Sequence, residues 1–571
     1  MTDTRPRQPI LIFLVFSLGS LVLSYPLILR PLDHIPLGSE RSGTVPLFNL
    51  WTLQWNIDQL LQGYPGYWDA PIFAPASGTF AFSETQPLSA LLAAPVWLGS
   101  GSPALAYNAL VILFLTLNGW FAYWLLRSWG LPSWPSLLAG LLTQALPFVA
   151  QERGVLQLMA LFGPLWSLLF LHRFLARAGS ASWRNGLGLA LGSPVTFFTC
   201  AYYGLFSLLF LPLALLFHLR RRHLTWSTAG RLAIIGLLAL ALSGPFLLAQ
   251  RRRLQTYGFA RSEKTITNQS ARPENYTFFL DDNLLYGRFL GRQSGQGQRL
   301  FPGLGLTALA LAGLAGRRQK RLRAYLALAA VLAFALSLGL RLNLAGFAPY
   351  QLLRHYVPGF AQLRSPFRFA AFAQLHLALL AGFGLHHLGI ICSKMPVAFQ
   401  GVRNEFRTPL RKNANNLALA LVASFAIFET LALPLPLLEV PPPPDAAWQT
   451  WLKEQPSPLA VVLVPFARSG RVADFEQTTR WMLAGRYFQA AMLNGYSGFF
   501  PPYHSRLRES MLAFPSADSL TLLREKGADY VVVHHRLPDA PPAPVVEQHL
   551  RLLYRDEKEG VAIYGWKPGA D

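Results

Sequence analysis

The chain has 571 residues, of which 52% are hydrophobic and 14% charged. Soluble domains carry about 25% charged residues, so this composition excludes a soluble globular protein and implies an integral membrane one. The net charge of +22 would suggest nucleic acid in a soluble protein. Here the basic residues cluster between apolar runs, as in cytoplasmic loops facing anionic lipid, and no nucleic-acid module accompanies them.

The first predicted span is 10–29. Arg5 and Arg7 precede it and hold the N-terminus in the cytoplasm by the positive-inside rule. The apolar core is too long for a cleaved leader, and no small-x-small site follows it. The first external loop, 31–86, carries Asp33, Glu40, Asp58, Asp69 and Glu84 among Trp51, Trp55, Tyr64, Tyr67 and Trp68. The apolar stretch 87–98 is short for a span and reads as a re-entrant or interfacial helix. Spans are expected at 104–126, 134–150 and 155–171, with Glu152 and Arg153 at an external end and Arg173, Arg177 and Arg184 inside. The segments 186–198 and 203–219 pair around an external turn at Tyr202 and Tyr203, and Arg220, Arg221, Arg222 and His223 mark the cytoplasmic end. Span 232–248 leads to the second external loop, 250–300, which opens on Arg251, Arg252 and Arg253 and holds Asp281 and Asp282. With 301–316, 324–340, 368–391 and 417–438, the count reaches about 11 spans under the hydropathy rule. Arg317, Arg318, Lys320, Arg321 and Arg323 are then cytoplasmic, as are Lys394, Arg403, Arg407, Arg411 and Lys412.

After the proline run 441–444 the composition changes. LAVVLVP (459–465), DYVVVH (529–534) and 561–564 read as buried strands, and 519–526 as a helix. The expected organisation is an α-helical polytopic membrane domain, 1–440, followed by a small external α/β domain, 441–571.

Three loop acids are candidate general bases, since a carboxylate close to the membrane surface is able to take a proton from a hydroxyl. Glu40 lies just past the first span; its alternative is a solvated loop acid. Asp69, in YWDAPIF, is flanked by aromatic rings or is simply a turn-forming Asx residue. Glu84, in FSETQP, is the third, or a cap for the helix after it. Trp55 and Trp68 offer ring faces beside them. Glu152 and Arg153 either line a pathway or pair with each other. In HYVPGFAQLRSPFRF, His355, Arg364 and Arg368 sit at the mouth of a span. The two arginines share a helix face if the helix extends back through Ser365 and Pro366, and they suit a phosphate or diphosphate; the alternative is snorkelling to lipid phosphate. No P-loop, GxSxG, HExxH or dinucleotide fingerprint is present, and Cys200 and Cys392 make no CxxC pair.

A first span, an acidic external loop, a short returning helix that opens on Gln-Pro-Leu, many further spans and an external C-terminal domain together resemble the GT-C superfamily of membrane glycosyltransferases. That group includes the protein O-mannosyltransferases and the aminoarabinose transferases of lipid A. Within it the chain is most similar to bacterial inner-membrane proteins with the stretches TVPLFNLWTLQWN, YWDAPIFAP, FAFSETQP, LRSPFRF and NGYSGFFPPY. The resemblance implies a polyprenyl-phosphate-linked sugar donor, a first-loop acid as base, inversion at the anomeric carbon, no cofactor and, as in most members apart from the oligosaccharyltransferases, no metal. It also implies a glycan, lipid or protein acceptor met at the periplasmic face. The Asp usual after the first span is absent: Glu40 stands in that neighbourhood, and Thr44, Val45 and Pro46 occupy the positions after it. Glu40 is therefore the first choice of base, followed by Asp69 and Glu84. Arg364 and Arg368 would hold the donor phosphate, with Glu152, Arg153, Tyr202, Tyr203, His355, Trp55 and Trp68 as further substrate contacts. The rival readings are a scaffold protein that kept the fold without the base, and a transporter of a lipid-linked glycan.

Overall fold

A computed structural model of the protein describes residues 7–176, 180–290, 297–316, 319–394, 417, 420–442 and 446–568. Arg5, Arg177, Arg317, Arg318, Arg403, Arg407, Arg411, Lys412, Pro443 and Pro444, named above, lie outside the described residues. The chain divides into two compact units: 1–29, 108–247 and 260–436 form the first, and 30–107, 248–259 and 437–571 the second. The C-terminal segment expected to stand alone from residue 441 thus takes in the first loop and a stretch of the second.

The first unit is helical. Runs of Leu, Ala and Phe without alternation have no polar face to give to water, so in a span they bury some residues against neighbours and leave the rest to lipid. Five described helices are long and apolar enough to cross a membrane: Pro103–Ser128, Leu156–Ala176 (a short 3-10 turn included), Ala201–His218, Trp226–Thr256 and Pro366–Ile391. Gln8–Leu23, Leu304–Ala315 and Ala420–Thr430 are shorter and apolar. The expected span 134–150 is not one helix. Ser133–Gln144 ends at Ala145, and Pro147 opens a new short helix, Pro147–Gln151. Proline has no N–H to continue the ladder and disfavours helical backbone in the residue before it. Another correction concerns Arg251, Arg252 and Arg253: they belong to the helix Trp226–Thr256 and do not open a loop. The helices Leu304–Ala315 and Ala370–Lys394 approach to backbone contact, because Gly313 faces the Leu380 carbonyl and Gly384 the Leu309 carbonyl.

The second unit is built on a five-stranded sheet of order β4-β3-β5-β7-β6, with β3 Ala460–Val464, β4 Ala491–Met492, β5 Tyr530–His534, β6 Arg551–Asp556 and β7 Val561–Gly565. Strands β4, β3 and β5 run parallel; β7 and β6 are antiparallel. The valine runs of β3 and β5 are buried without alternation, as strands covered on both faces are. Val462, Val464, Val531, Val533, Leu507, Leu523 and Ala562 share their core.

The first loop is mostly not loop. It contains a helix, Thr44–Gln62, closed by Gly63 in the left-handed region at φ 79°, where glycine carries no steric penalty. This helix packs on Glu476–Phe488. Gly43 N–H donates to Glu476 Oε2 at 2.9 Å, Gln54 donates to the Leu483 carbonyl at 3.2 Å, and Asp58 pairs with Arg486 at 3.1 Å. β1 (His34–Pro36) pairs antiparallel with β2 (Leu437–Glu439), and Ile72 bridges Met492 in parallel.

Candidate functional site

In the first unit the break at Pro147 leaves residues 148–161 in short helical turns, all buried. Irregular backbone at that depth needs side chains to satisfy it. Gln374 Oε1 accepts from Phe148 N–H at 2.8 Å while its amide donates to the Leu300 carbonyl at 3.0 Å, and Asn118 donates to the Met159 carbonyl at 2.7 Å.

This scaffold buries three consecutive polar residues. Gln151 donates to Glu152 Oε1 at 2.8 Å and to Gln298 Oε1 at 2.9 Å, and its own Oε1 accepts the Arg299 main-chain N–H at 2.6 Å. Glu152 is 6% exposed. Burial raises its pKa above the usual carboxylate range, against the opposing charges of Arg368 and Arg364. Arg153 is 3% exposed and donates to the Ala432 carbonyl at 3.1 Å. Burial pushes its guanidinium down to about 10.

Arg364 and Arg368 do not share a helix face, because Pro366 starts a 3-10 turn, Pro366–Phe369, and the helix begins at Ala370. Tyr202 brings them together. The Arg368 guanidinium lies 4.4 Å from the Tyr202 ring centre, and the main-chain N–H of Arg364 donates to the Tyr202 hydroxyl at 3.3 Å. Cations this close to a tyrosine face gain from the ring quadrupole. Glu152, Arg364, Arg368 and Tyr202 therefore form one cluster. Tyr203 points elsewhere in the same unit: it is fully buried and its hydroxyl donates to the Leu158 carbonyl at 2.5 Å. His355 bonds the Gln351 carbonyl of its own short helix at 3.0 Å. Asp281 pairs loosely with Arg299 at 3.7 Å. Glu429, which falls within the expected span 417–438, accepts from Leu304 N–H, from Gly305 N–H at 2.6 Å and from the Tyr286 hydroxyl. It caps the helix Leu304–Ala315, where carboxylates are favoured.

The loop acids lie in the second unit. Glu40 is half-buried, and its charge acts on the buried Tyr107. Asp69 is exposed and Oδ1 accepts Gly78 N–H at 2.6 Å, the geometry of a turn-forming aspartate. Glu84 is half-buried, and the residue at the cap position of Pro87–Ser100 is Gln86. Trp55 donates to the Tyr67 carbonyl at 2.9 Å, and Trp68 lies under the Arg253 guanidinium at 4.9 Å. Burial raises the Asp58 carboxyl, opposed by Arg486. Among the described residues no three His, Cys, Asp or Glu side chains gather closely enough to hold a metal.

Gln151, Gln298, Arg299, Gln374 and Asn118 were not singled out in the sequence. For Asn118, Gln151 and Gln374 the signal was a polar amide in or at the end of an apolar segment, which has to find a partner; Gln298 and Arg299, in a polar stretch, carried none.

No protein-family model matches the chain, and no curated protein sequence does. Solved structures do. The arabinofuranosyltransferase AftD from Mycobacteria aligns over 100% of this chain with a TM-score of 0.55 and 15% identity, and the chain spans 40% of the AftD chain. The apo oligosaccharyltransferase of Archaeoglobus fulgidus aligns over 100% of this chain and 76% of its own, with a TM-score of 0.51 and 14% identity. ArnT from Cupriavidus metallidurans, solved with undecaprenyl phosphate, aligns over 99% of both chains with a TM-score of 0.48 and 13% identity. The chain shares its fold with the AftD and oligosaccharyltransferase structures.

Proposed function

We propose that the protein is a membrane glycosyltransferase that moves a sugar from a polyprenyl-phosphate-linked donor to an acceptor hydroxyl at the periplasmic face of a bacterial inner membrane. The observation that carries this reading is a GT-C fold whose helical unit buries Arg153 and Arg368, with Arg364 beside them, against one carboxylate. An excess of buried guanidinium suits an anion with several oxygens. In the proposed reaction the acceptor oxygen attacks the anomeric carbon, the carbon–oxygen bond to phosphate breaks, and the electron pair leaves with the polyprenyl phosphate. The acceptor proton passes to a first-loop carboxylate, with Glu40 the first choice and Glu84 the next, since Asp69 already serves a turn. A single displacement inverts the anomeric centre. Arg364 and Arg368 stabilise charge that grows on the leaving phosphate, the electrostatic term that dominates many transferases. The remaining apolar helices complete a bundle of about 11 spans with the N-terminus inside, and the sheet-bearing unit orients the acceptor.

The test is transfer of radiolabelled sugar from polyprenyl-phosphate donors by purified protein in nanodiscs, comparing wild type with Glu40→Gln, Asp69→Asn and Arg368→Met. Transfer by wild type, lost in Glu40→Gln and Arg368→Met but kept in Asp69→Asn, is expected. Wild type inactive across a broad donor panel would overturn the reading, and movement of the donor across the bilayer without consumption would replace it with transport.

A further inference from the structure

A second cluster in the helical unit has no part in that reaction. Phe383 lies about 20 Å along its helix from Ala370, at 1.5 Å per residue. Around it sit Trp129, whose ring stacks on Phe383 at 6.2 Å, and Arg323, whose guanidinium lies 5.1 Å from the same ring centre. His218 packs on Trp129 at 6.1 Å and on His172 at 5.5 Å.

The cluster is rich in donors and poor in acceptors. Trp129 is 1% exposed, Arg323 4% and His218 8%. Trp129 Nε1 and Arg323 Nε and Nη1 are buried and make no hydrogen bond, whereas His218 Nδ1 donates to the Ala214 carbonyl at 2.7 Å, which leaves its Nε2 as an acceptor. Indole and guanidinium N–H groups have no acceptor capacity, so they cannot satisfy one another. No ion pair among the described residues involves Arg323. Buried polar groups are nearly always partnered, and a buried unpaired cation is the costliest exception. Gly316 is what lets the guanidinium in, since a Cβ there would collide with Arg323 Nη1. Exposed Arg220, Arg221, Arg222, Lys320 and Arg321 flank these positions in the chain, and Arg321 donates to the Leu219 carbonyl at 2.9 Å, tying the two helix ends together.

We infer that Arg323 and Trp129 form a second anion site, which takes a phosphate group. An oxyanion supplies the several acceptors that Arg323 and Trp129 lack, and the flanking arginines raise its local concentration. Phospholipid headgroups and free phosphate both present this chemistry at the end of an apolar bundle.

The experiment titrates delipidated full-length protein in a neutral detergent with phosphatidylglycerol, with a diacyl glycolipid lacking phosphate, and with inorganic phosphate. Native mass spectrometry reads retained lipid and thermal shift reads phosphate. Trp129→Phe keeps the ring and removes one donor; Arg323→Met removes the charge. Retention of phosphatidylglycerol but not the glycolipid, about tenfold weaker in Trp129→Phe and lost in Arg323→Met, supports a headgroup site. A phosphate shift lost in Trp129→Phe without selective lipid retention assigns the site to free phosphate. Equal retention of both lipids with no phosphate shift, or binding untouched by Trp129→Phe, overturns the inference. Should Arg323→Met fail to fold, Trp129→Phe decides.

Discussion

Glu152 and Arg153 are adjacent, yet they turn to different partners: Glu152 to Gln151 and the field of two arginines, Arg153 to a main-chain carbonyl. Neither pairs with the other, so the arginines of the cluster are not neutralised one for one. Arg368→Met should therefore lower kcat/KM for the lipid-linked donor by about 100-fold or more, with Arg368→Lys recovering only part, because an ammonium does not reproduce a planar fork. Donor-dependent transfer kinetics would check this. A different residue-scale effect belongs to His504. It is 2% exposed and boxed by Phe73, Phe466, Phe475 and Phe500. Burial, with the Arg508 charge, pushes it down to about 4. The unfolded chain binds a proton near pH 6.5 that the folded unit refuses, so stability is intact above that pH and falls as pH drops toward 4. The loss is on the order of 3 kcal/mol. His504→Phe should flatten that slope in hydrogen-exchange protection of strands β3 and β5, and a slope equal to wild type would show that other groups set it.

At the scale of elements, the close crossing of Leu304–Ala315 and Ala370–Lys394 rests on two glycines whose missing side chains admit a facing carbonyl. Gly384→Ala or Gly313→Ala forces the helices apart, and each should cost about 1–3 kcal/mol, read as a lowered thermal midpoint in detergent. Glu429→Ala removes the acceptor for two helix-end amides and a tyrosine hydroxyl, with an expected cost of about 1–3 kcal/mol by the same measurement. Which elements the sequence revealed follows from their chemistry. The valine runs at β3 and β5 announced strands because consecutive β-branched residues suit a pleated, buried strand. Of the helix Thr44–Gln62, WNIDQLL around Asp58 reads as an amphipathic helix, but the turns before it do not announce one, because Asn49 and Gln54 are buried there alongside Leu and Trp, which erases the contrast between faces. The break before Pro147 was legible in the proline itself, but the unbroken apolar run around it read as one span. Glu152, Arg368 and Tyr202 were legible as charges and rings in apolar surroundings. Gln298 and Arg299 were not, because their role depends on which distant segment the fold brings to Gln151.

For the whole molecule, the first loop and the C-terminal segment are one folding problem. Gly43 and Thr44 bond to Glu476 and Val472, Tyr503 bonds to the Phe73 carbonyl, and Phe499 N–H to the Phe82 carbonyl at 3.0 Å. A chain ending at residue 440 should therefore expose the helix Thr44–Gln62 to protease under conditions where the full chain is protected, and limited proteolysis in nanodiscs would show cleavage between Arg41 and Tyr67. The pairing of β1 with β2 carries a consequence for biosynthesis. The partner of the first loop leaves the ribosome about 400 residues later, so at about 5–20 residues per second the loop waits roughly 20–80 seconds with its tryptophans uncovered. Over that interval the nascent protein is a client for whatever holdase guards the translocation exit, and slow translation of the last third of the message lengthens its exposure.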